Sequence, residues 1–407
     1  MENILIIGAG DFQLPLVQKA AQSYNVLLAA PVVSAEFEPY IKGTLIVDVR
    51  DKERILAYAQ ENKVCGVITD QTDIAVRSVA YVAEQMGLPG IGYETGVLFT
   101  DKNLMRERMQ ELGIKLLPHR TVSSLEEALS YYSEIGGDVI IKPLDTQGSR
   151  GVQVCRNASD LEAKYAEAAR WSSDHSVLIE RLATGREFVV EGVAVNYEFL
   201  NACIGDTLYF DLPDAFAAKS RIFPTLADDA LRQRVLDLNT RIITGFGLKQ
   251  GITHSEFIMD GDEIYLIETA ARGGGVFISS DLIHLSCGLD SEGFLLDLAT
   301  GRQKGLPEIN PQQCVCGYLA FYIPTGKVVS VKGVEEVQAL PYVHRNQLGK
   351  LKAGKVNKDG HTDKTSRIAL IVSAPDHITF EERAKKIREM LQVETMTADG
   401  IAPLIWE

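Results

Sequence analysis

Apolar residues recur along this chain in two rhythms, and the change between them outlines its parts. Up to Met86 short apolar runs alternate with stretches of helical period. Asn3–Ile7, Val26–Ala30, Leu45–Val47 and Gly66–Thr69 read as strands, with helices from near Phe12, over Asp51–Gln60 and over Ile74–Met86. That alternation predicts a small parallel sheet. Gly87–Gly96 breaks the pattern, after which Asp101-Lys102 opens an amphipathic helix carrying Met105, Met109 and Leu112. Strands are expected at Pro118–Val122, Asp138–Lys142, Val177–Ile179 and Phe188–Val195, and helices over Ser124–Ile135, Ala158–Arg170 and Leu226–Thr244. Asp206–Pro224 reads as a loop of mixed charge. Thr253–Met259 and Glu263–Thr269 alternate with period 2 around the turn Asp260-Gly261-Asp262, which makes a hairpin. Two helices, Phe277–Ser286 and Ser291–Thr300, precede strands near Val315–Ile323, Lys327–Val331 and Ile368–Ser373 and a helix over Thr379–Leu391; the basic, glycine-containing stretch Val343–Lys364 reads as a hairpin or loop.

The hairpin carries the sharpest chemistry. Glu256 and Glu268 lie symmetrically about Asp262, so their side chains are expected on one sheet face in near opposition, where like charges repel unless neutralised. Mg2+ binds through one or two carboxylates together with substrate phosphates, so the pair anticipates a nucleotide. Arg272 and Gly273-Gly274-Gly275 follow, a planar cation and glycine amides suited to a phosphoryl oxygen. The alternative is a surface hairpin with two solvated glutamates.

Upstream segments weigh against that alternative. Lys102 sits in a helix's first turn, where the dipole prefers acids, and so asks for an anion. Lys142 ends an apolar strand, and the following loop offers Gly148, Ser149 and Gly151, flexible backbone able to close over phosphates. The run Glu180-Arg181-Leu182 could carry an adenine on backbone groups while Glu187 accepts from a ribose hydroxyl; both glutamates could equally be edge-strand charges. Asp70 and Asp73 follow a strand at the carboxyl edge where open parallel sheets bind ligands, so they are substrate candidates, with helix capping as the commoner use. Lys219 and Arg221 could meet a substrate carboxylate or phosphates, and His254 could touch substrate or serve as a structural histidine. Gly8-Ala9-Gly10 suggests a dinucleotide turn, but Gln13 stands where the third glycine belongs and the next strand ends without an acid, so NAD is not expected.

Composition narrows the partners. The 407 residues are 46% hydrophobic, enough for two to four structural units, and the net charge of -14 argues against nucleic acid or an anionic membrane as partner. With no signal segment or spanning apolar run, a cytoplasmic location is expected. The six cysteines are scattered and read as reduced core thiols.

Lys102, Lys142 with its glycine loop, Glu180 to Leu182, Glu187, Glu256, Glu268 and Arg272 occur in an order that resembles the ATP-grasp superfamily, most clearly from Asp101 to Gly301. The resemblance implies an α/β fold: an ATP-grasp fold preceded by a small Rossmann-like parallel domain over 1–95, a lid-bearing part over 96–182, a metal and catalytic part over 183–310, and a C-terminal α+β extension over 311–407. It further implies ATP and Mg2+ (or Mn2+) as cofactors. Lys102 and Lys142 would hold phosphates, Glu180 and Leu182 flank adenine, Glu187 bind ribose, Glu256 and Glu268 bind metal, and Arg272 stabilise the transferring phosphoryl group. Ala270 stands where many members carry an asparagine metal ligand. The C-terminal pattern from Ser366 looks more like L-amino-acid ligases and carbamoyl-phosphate-synthase-like proteins. The function implied is ligation of a small carboxylate to a small-molecule amine through an acyl phosphate, with a homodimer left open. Bicarbonate activation and non-catalytic ATP sensing are the alternatives.

Overall fold

A computed structural model describes all residues except 147, 149, 213–216, 312–313, 359 and 361–365, and element counts below are of the described residues. Its contacts divide the chain into two compact units. The first comprises Met1–Ile204, Ala227–His284 and Leu289–Ile309, the second Gly205–Leu226, Leu285–Gly288 and Asn310–Glu407.

The first unit opens with the expected parallel sheet, in the order Ile41–Ile46, Asn25–Ala30, Asn3–Ile7, Gly66–Ile68. The runs of Asn3–Ile7, Asn25–Ala30 and Gly66–Ile68 are buried almost throughout, whereas the edge strand Ile41–Ile46 alternates; Leu5, Ile7, Leu27 and Val67 pack with Ile55, Ala59 and Val82 of the helices. The glycine turn after the first strand is occupied by the chain itself. Gln13 Oε1 accepts from the Gly10 amide at 2.5 Å, and its Nε2 donates to the Asp70 carbonyl at 3.1 Å. A side chain thus fills the space a dinucleotide motif keeps clear for pyrophosphate.

A four-stranded antiparallel sheet follows, ordered His119–Val122, Val177–Arg181, Val139–Pro143, Gln153–Cys155. Two helices cover it, Leu125–Ile135 and Ala158–Arg170, each begun by a side-chain cap, Ser124 accepting from the Glu127 amide and Asn157 from the Asp160 amide. The remaining strands of this unit run Glu263–Ala270, Gly251–Asp260, Arg186–Val195 and then Glu198–Tyr209, whose residues from Gly205 belong to the second unit. Phe188, Val190 and Phe257 pack against Met105 and Met109 of the helix Lys102–Glu111 and against Ile242 and Ile243 of the helix Asp229–Gly245.

In the second unit Ala218–Phe223, Val315–Phe321, Ile368–Ala374 and Val343–Asn346 pair in that order, and Gly326–Lys332 pairs with Val356–Asn357 and Gln392–Thr397. Two expectations change here. The mixed-charge segment read as a loop contains a strand, Ala218–Phe223, because Ala218, Ser220 and Ile222 face inward in alternation with Lys219 and Arg221. Val343–Lys364, read as a hairpin or loop, contributes the short strands Val343–Asn346 and Val356–Asn357, which pair with Ile368–Ala374 and Gly326–Lys332 rather than with each other. The six cysteines are free thiols, with Cys155, Cys287 and Cys316 buried. No helix among the described residues is long and apolar enough to cross a membrane.

Candidate active site

The hairpin places its acids by a device the sequence does not announce. Pairing runs Asp260↔Glu263, Met259↔Ile264, Ile258↔Tyr265, Phe257↔Leu266. That register would set Glu256 against Ile267. A bulge makes Ile267 the extra residue, so Glu256 faces Glu268. The buried Arg106 holds the bulge in place, its Nη2 donating to the Ile267 carbonyl at 2.8 Å. Lys102 Nζ lies 3.6 Å from Glu268 Oε2 and donates to the Thr146 carbonyl at 3.0 Å.

Among the described residues no group of three or more His, Cys, Asp or Glu is arranged to hold a metal ion by itself. Two opposed carboxylates nevertheless fit Mg2+, whose remaining ligands would be phosphate oxygens and water. His254 braces one of them. Its Nε2 is 3.0 Å from Glu256 Oε1, and its Nδ1 bonds Glu191 Oε1. Glu191 is fully buried, and its second oxygen accepts from the Gly274 amide at 3.1 Å.

Lys142 belongs to a second cluster. Its Nζ donates to Glu180 Oε2 at 2.7 Å, while Arg106 Nε donates to Glu180 Oε1 at 2.7 Å. Burial alone would raise the Glu180 pKa; the charges of Arg106 and Lys142 overcome it and hold the carboxyl well below the ordinary carboxylate range.

The arginine loop departs from expectation. Gly273 and Gly274 are buried, and neither amide faces outward. The Gly273 amide donates to Asp70 Oδ1 at 3.0 Å and the Gly274 amide to Glu191. Both positions need glycine: at Gly273 a Cβ would run into the Ser279 side chain, 2.5 Å from its Cβ, with Asp70 Oδ1 at 2.9 Å, and at Gly274 it would lie 2.6 Å from Glu191 Oε1 and 2.8 Å from Ile278. Arg272 makes a fork to Asp73 with two bonds of 2.8 Å, and the Phe277 amide donates to Gln71 Oε1 at 3.1 Å. Residues 70–73, read as substrate contacts, thus clamp the chain's own loop. Burial pushes the Asp70 carboxyl up to about 6, and its Oδ2 has no hydrogen-bond partner. Arg272 is also buried, which would lower its pKa, but the charge of Asp73 raises it instead.

The adenine reading also changes. The amides of Arg181 and Leu182 donate at 2.9 Å to the carbonyls of Pro118 and Asp138, so neither is available to a base. The Arg181 side chain pairs with Asp260 at 2.7 Å. Glu187 stands beside Ile258 in the register of the strand Gly251–Asp260. Gly148 is exposed with φ +64°, Gly151 has φ +72°, and Ser149 lies outside the described residues. In the second unit, Lys219 pairs with Glu407, and Arg221 stands opposite Tyr318 in its sheet. Sequence reasoning missed Glu191 and Arg106. Glu191 left a signal, an acid inside the apolar run FVVEGVAV; Arg106, one polar residue on a polar helix, left none.

A cavity of about 280 Å³ adjoins these groups, lined by Lys102, Thr146 and Glu268 as well as Arg50, Lys52 and Arg77.

Residues 101–198 match the family model described as carbamoyl-phosphate synthase L chain, ATP binding domain. With the opposed acids and the paired cations, that match gives this segment the character of an ATP-grasp ATP-binding domain, and the chain as a whole has the ATP-grasp fold. Its relatives and structural neighbours include ligases and carboxylases, among them structures that hold ADP and Mg2+. Alanine–anticapsin ligase of Bacillus subtilis is 26% identical over 348 residues, 72% of this chain and 73% of that protein. The same ligase from Bacillus amyloliquefaciens matches at 25% over 59% of this chain and 55% of its own length, so there the match spans about half the relative. Among solved structures, an L-amino acid ligase from Bacillus licheniformis superposes with TM-score 0.82 at 20% identity, covering 98% of this chain and 99% of its own. The biotin carboxylase domain of a Hydrogenobacter thermophilus 2-oxoglutarate carboxylase, solved with MgADP and bicarbonate, gives 0.77 at 17%, covering 99% and 91%.

Proposed function

We propose that this enzyme phosphorylates the carboxylate of an amino acid or similar small acid and joins the resulting acyl group to an amine. The carrying observation is the opposition of Glu256 and Glu268, set by the Ile267 bulge beside Lys102. The substrates named for the alanine–anticapsin and L-amino acid ligases support this reading.

A carboxylate and a triphosphate repel, so the site must neutralise charge before the oxygen can reach the γ-phosphorus in line. Mg2+ (or Mn2+) held by Glu256 and Glu268 would supply Lewis-acid charge stabilisation. Lys102 and Lys142 meet the phosphates, Lys142 from the Glu180 carboxylate that fixes its position. Arg272, locked by Asp73, presents fixed positive charge to the transferring group rather than a searching side chain. The carboxylate oxygen bonds to phosphorus as the bond to ADP breaks. The amine nitrogen then attacks the acyl carbon, phosphate leaves with the bond's electron pair, and the amine's proton passes to phosphate or solvent. Segments 1–95, 96–182 and 183–310 would then serve as substrate-side, lid-bearing and metal-bearing parts, with 311–407 as an extension, and assembly as a homodimer is open to sedimentation.

Incubation with ATP, Mg2+, an amino acid and hydroxylamine tests the reading. A hydroxamate forming with ADP is the expected result. Turnover with bicarbonate alone would replace it by carboxyphosphate chemistry, and ATP binding with no turnover on any acid would replace it by sensing.

A further inference from the structure

The cavity holds more positive charge than the phosphate lysine accounts for. Arg50, Lys52 and Arg77 line it together with Lys102, in a protein whose net charge is -14. Lys52 and Lys102 are each the first residue of a ten-residue helix, and each follows an aspartate cap. A cation there opposes the helix dipole, so both positions cost stability unless an anion is met. Lys52 Nζ is oriented by neutral groups: it donates to Tyr93 Oη at 2.9 Å and lies 4.4 and 4.3 Å from the ring centres of Tyr81 and Tyr93. Arg77 Nε donates to Thr100 Oγ1 at 2.6 Å, but its buried Nη2 has no hydrogen-bond partner, the Asp101 carboxylate lying 3.8 Å away. Leaving a buried guanidinium nitrogen without an acceptor is costly, and a ligand oxygen would relieve it. The acids lining the cavity have other uses: Asp73 holds Arg272, Glu268 would hold the metal beside Lys102, and Asp145 accepts from the Ser173 amide at 3.1 Å.

We propose that the substrate activated here carries a second acidic group, a carboxylate or a phosphate, which Lys52 and Arg77 hold while its reacting carboxylate lies toward Lys102 and Glu268. Tyr93 orients Lys52, and Arg50 adds charge at the exposed rim. This rests on the ligase reading and specifies its substrate class.

The test compares glutamate with glutamine, and phosphoserine with serine, as the activated acid in ADP release with a common amine. The acidic member of at least one pair should show a KM about ten-fold lower than its neutral partner, the scale of one charge-assisted hydrogen bond. Which pair responds separates carboxylate from phosphate. Lys52→Met should raise that KM about ten-fold while KM for ATP stays within about two-fold, and Lys52→Arg should restore most of the loss. Neutral acids preferred throughout, or a Lys52→Met effect falling on KM for ATP, would overturn the proposal; the second result would assign the lysine to the triphosphate. Absence of ADP release with every acid would instead count against the ligase reading. Calorimetric titration of glutamate and phosphoserine in the presence of MgADP then decides the anion site, which fails if neither binds or if Lys52→Met binds them equally.

Discussion

The two charged clusters of the first unit are built in opposite senses. Around Glu180, two cations, Arg106 and Lys142, share one fully buried carboxylate. At the hairpin, three carboxylates, Glu191, Glu256 and Glu268, meet one lysine and one imidazole. The first cluster has positive charge to spare and is complete for folding; the second has negative charge to spare and calls for a cation. A metal-bound triphosphate would supply both deficits. Arg106 joins the clusters, since the same guanidinium that bonds Glu180 also pins the carbonyl of the Ile267 bulge. The difference teaches that a buried acid with two partners reads as architecture, whereas acids set against one another read as a binding site.

Four experiments break or sharpen this contrast. Glu268→Ala should reduce ADP release about 10³-fold, because charge stabilisation at the transferring group is lost. Its melting temperature should hold or rise, since the charge opposing Glu256 is gone. Near-normal phosphate release would refute the metal assignment. Glu180→Gln should cost about 3–5 kcal/mol in urea unfolding, the penalty for stranding two buried cations. The Glu180 pKa is depressed in the folded state, so its stabilisation is present at neutral pH and fades only as pH falls below the ordinary carboxylate range. A loss under about 1 kcal/mol would show the cluster to be solvated.

Asp70→Asn probes a buried acid of the other kind. Its folded pKa of about 6 exceeds the unfolded value of 3.8, so the native state binds the extra proton and stability falls as pH rises from about 4 to about 6. The amide variant should therefore be more stable than the parent by about 2–3 kcal/mol at pH 8, the order of a two-unit shift, and by little at pH 4, in parallel melts. Equal differences at both pH values would mean that Asp70 stays ionised throughout. Glu191→Gln should have the smallest effect on folding, yet weaken Mn2+ binding in the presence of ADP about ten-fold, read by electron paramagnetic resonance, because His254 would lose the carboxylate that orients it toward Glu256. Unchanged affinity would reduce Glu191 to a support for the Gly274 amide.

Local pattern carried a good deal of this molecule. Continuous apolar runs marked the parallel strands, the helical apolar period marked the helices, and period 2 marked the hairpin, because each of these depends on neighbours along the chain. The facing of Glu256 and Glu268 was legible as a near-symmetry about the turn. Its cause was not, since a bulge at Ile267 depends on Arg106, which is 161 residues away. Likewise Gly273 and Gly274 looked like free phosphate ligands, and Asp70 and Asp73 like substrate contacts. Each was half of a bond whose other half lay some 200 positions distant.

Residue order by itself therefore determined which elements form and which chemistry they bear, since backbone propensity and apolar period act over a few residues. Only the folded chain decided which polar groups are already satisfied. An acid or amide reads the same in sequence whether its partner is a ligand or another part of the protein, and burial, which makes the missing partner costly, is a property of packing alone.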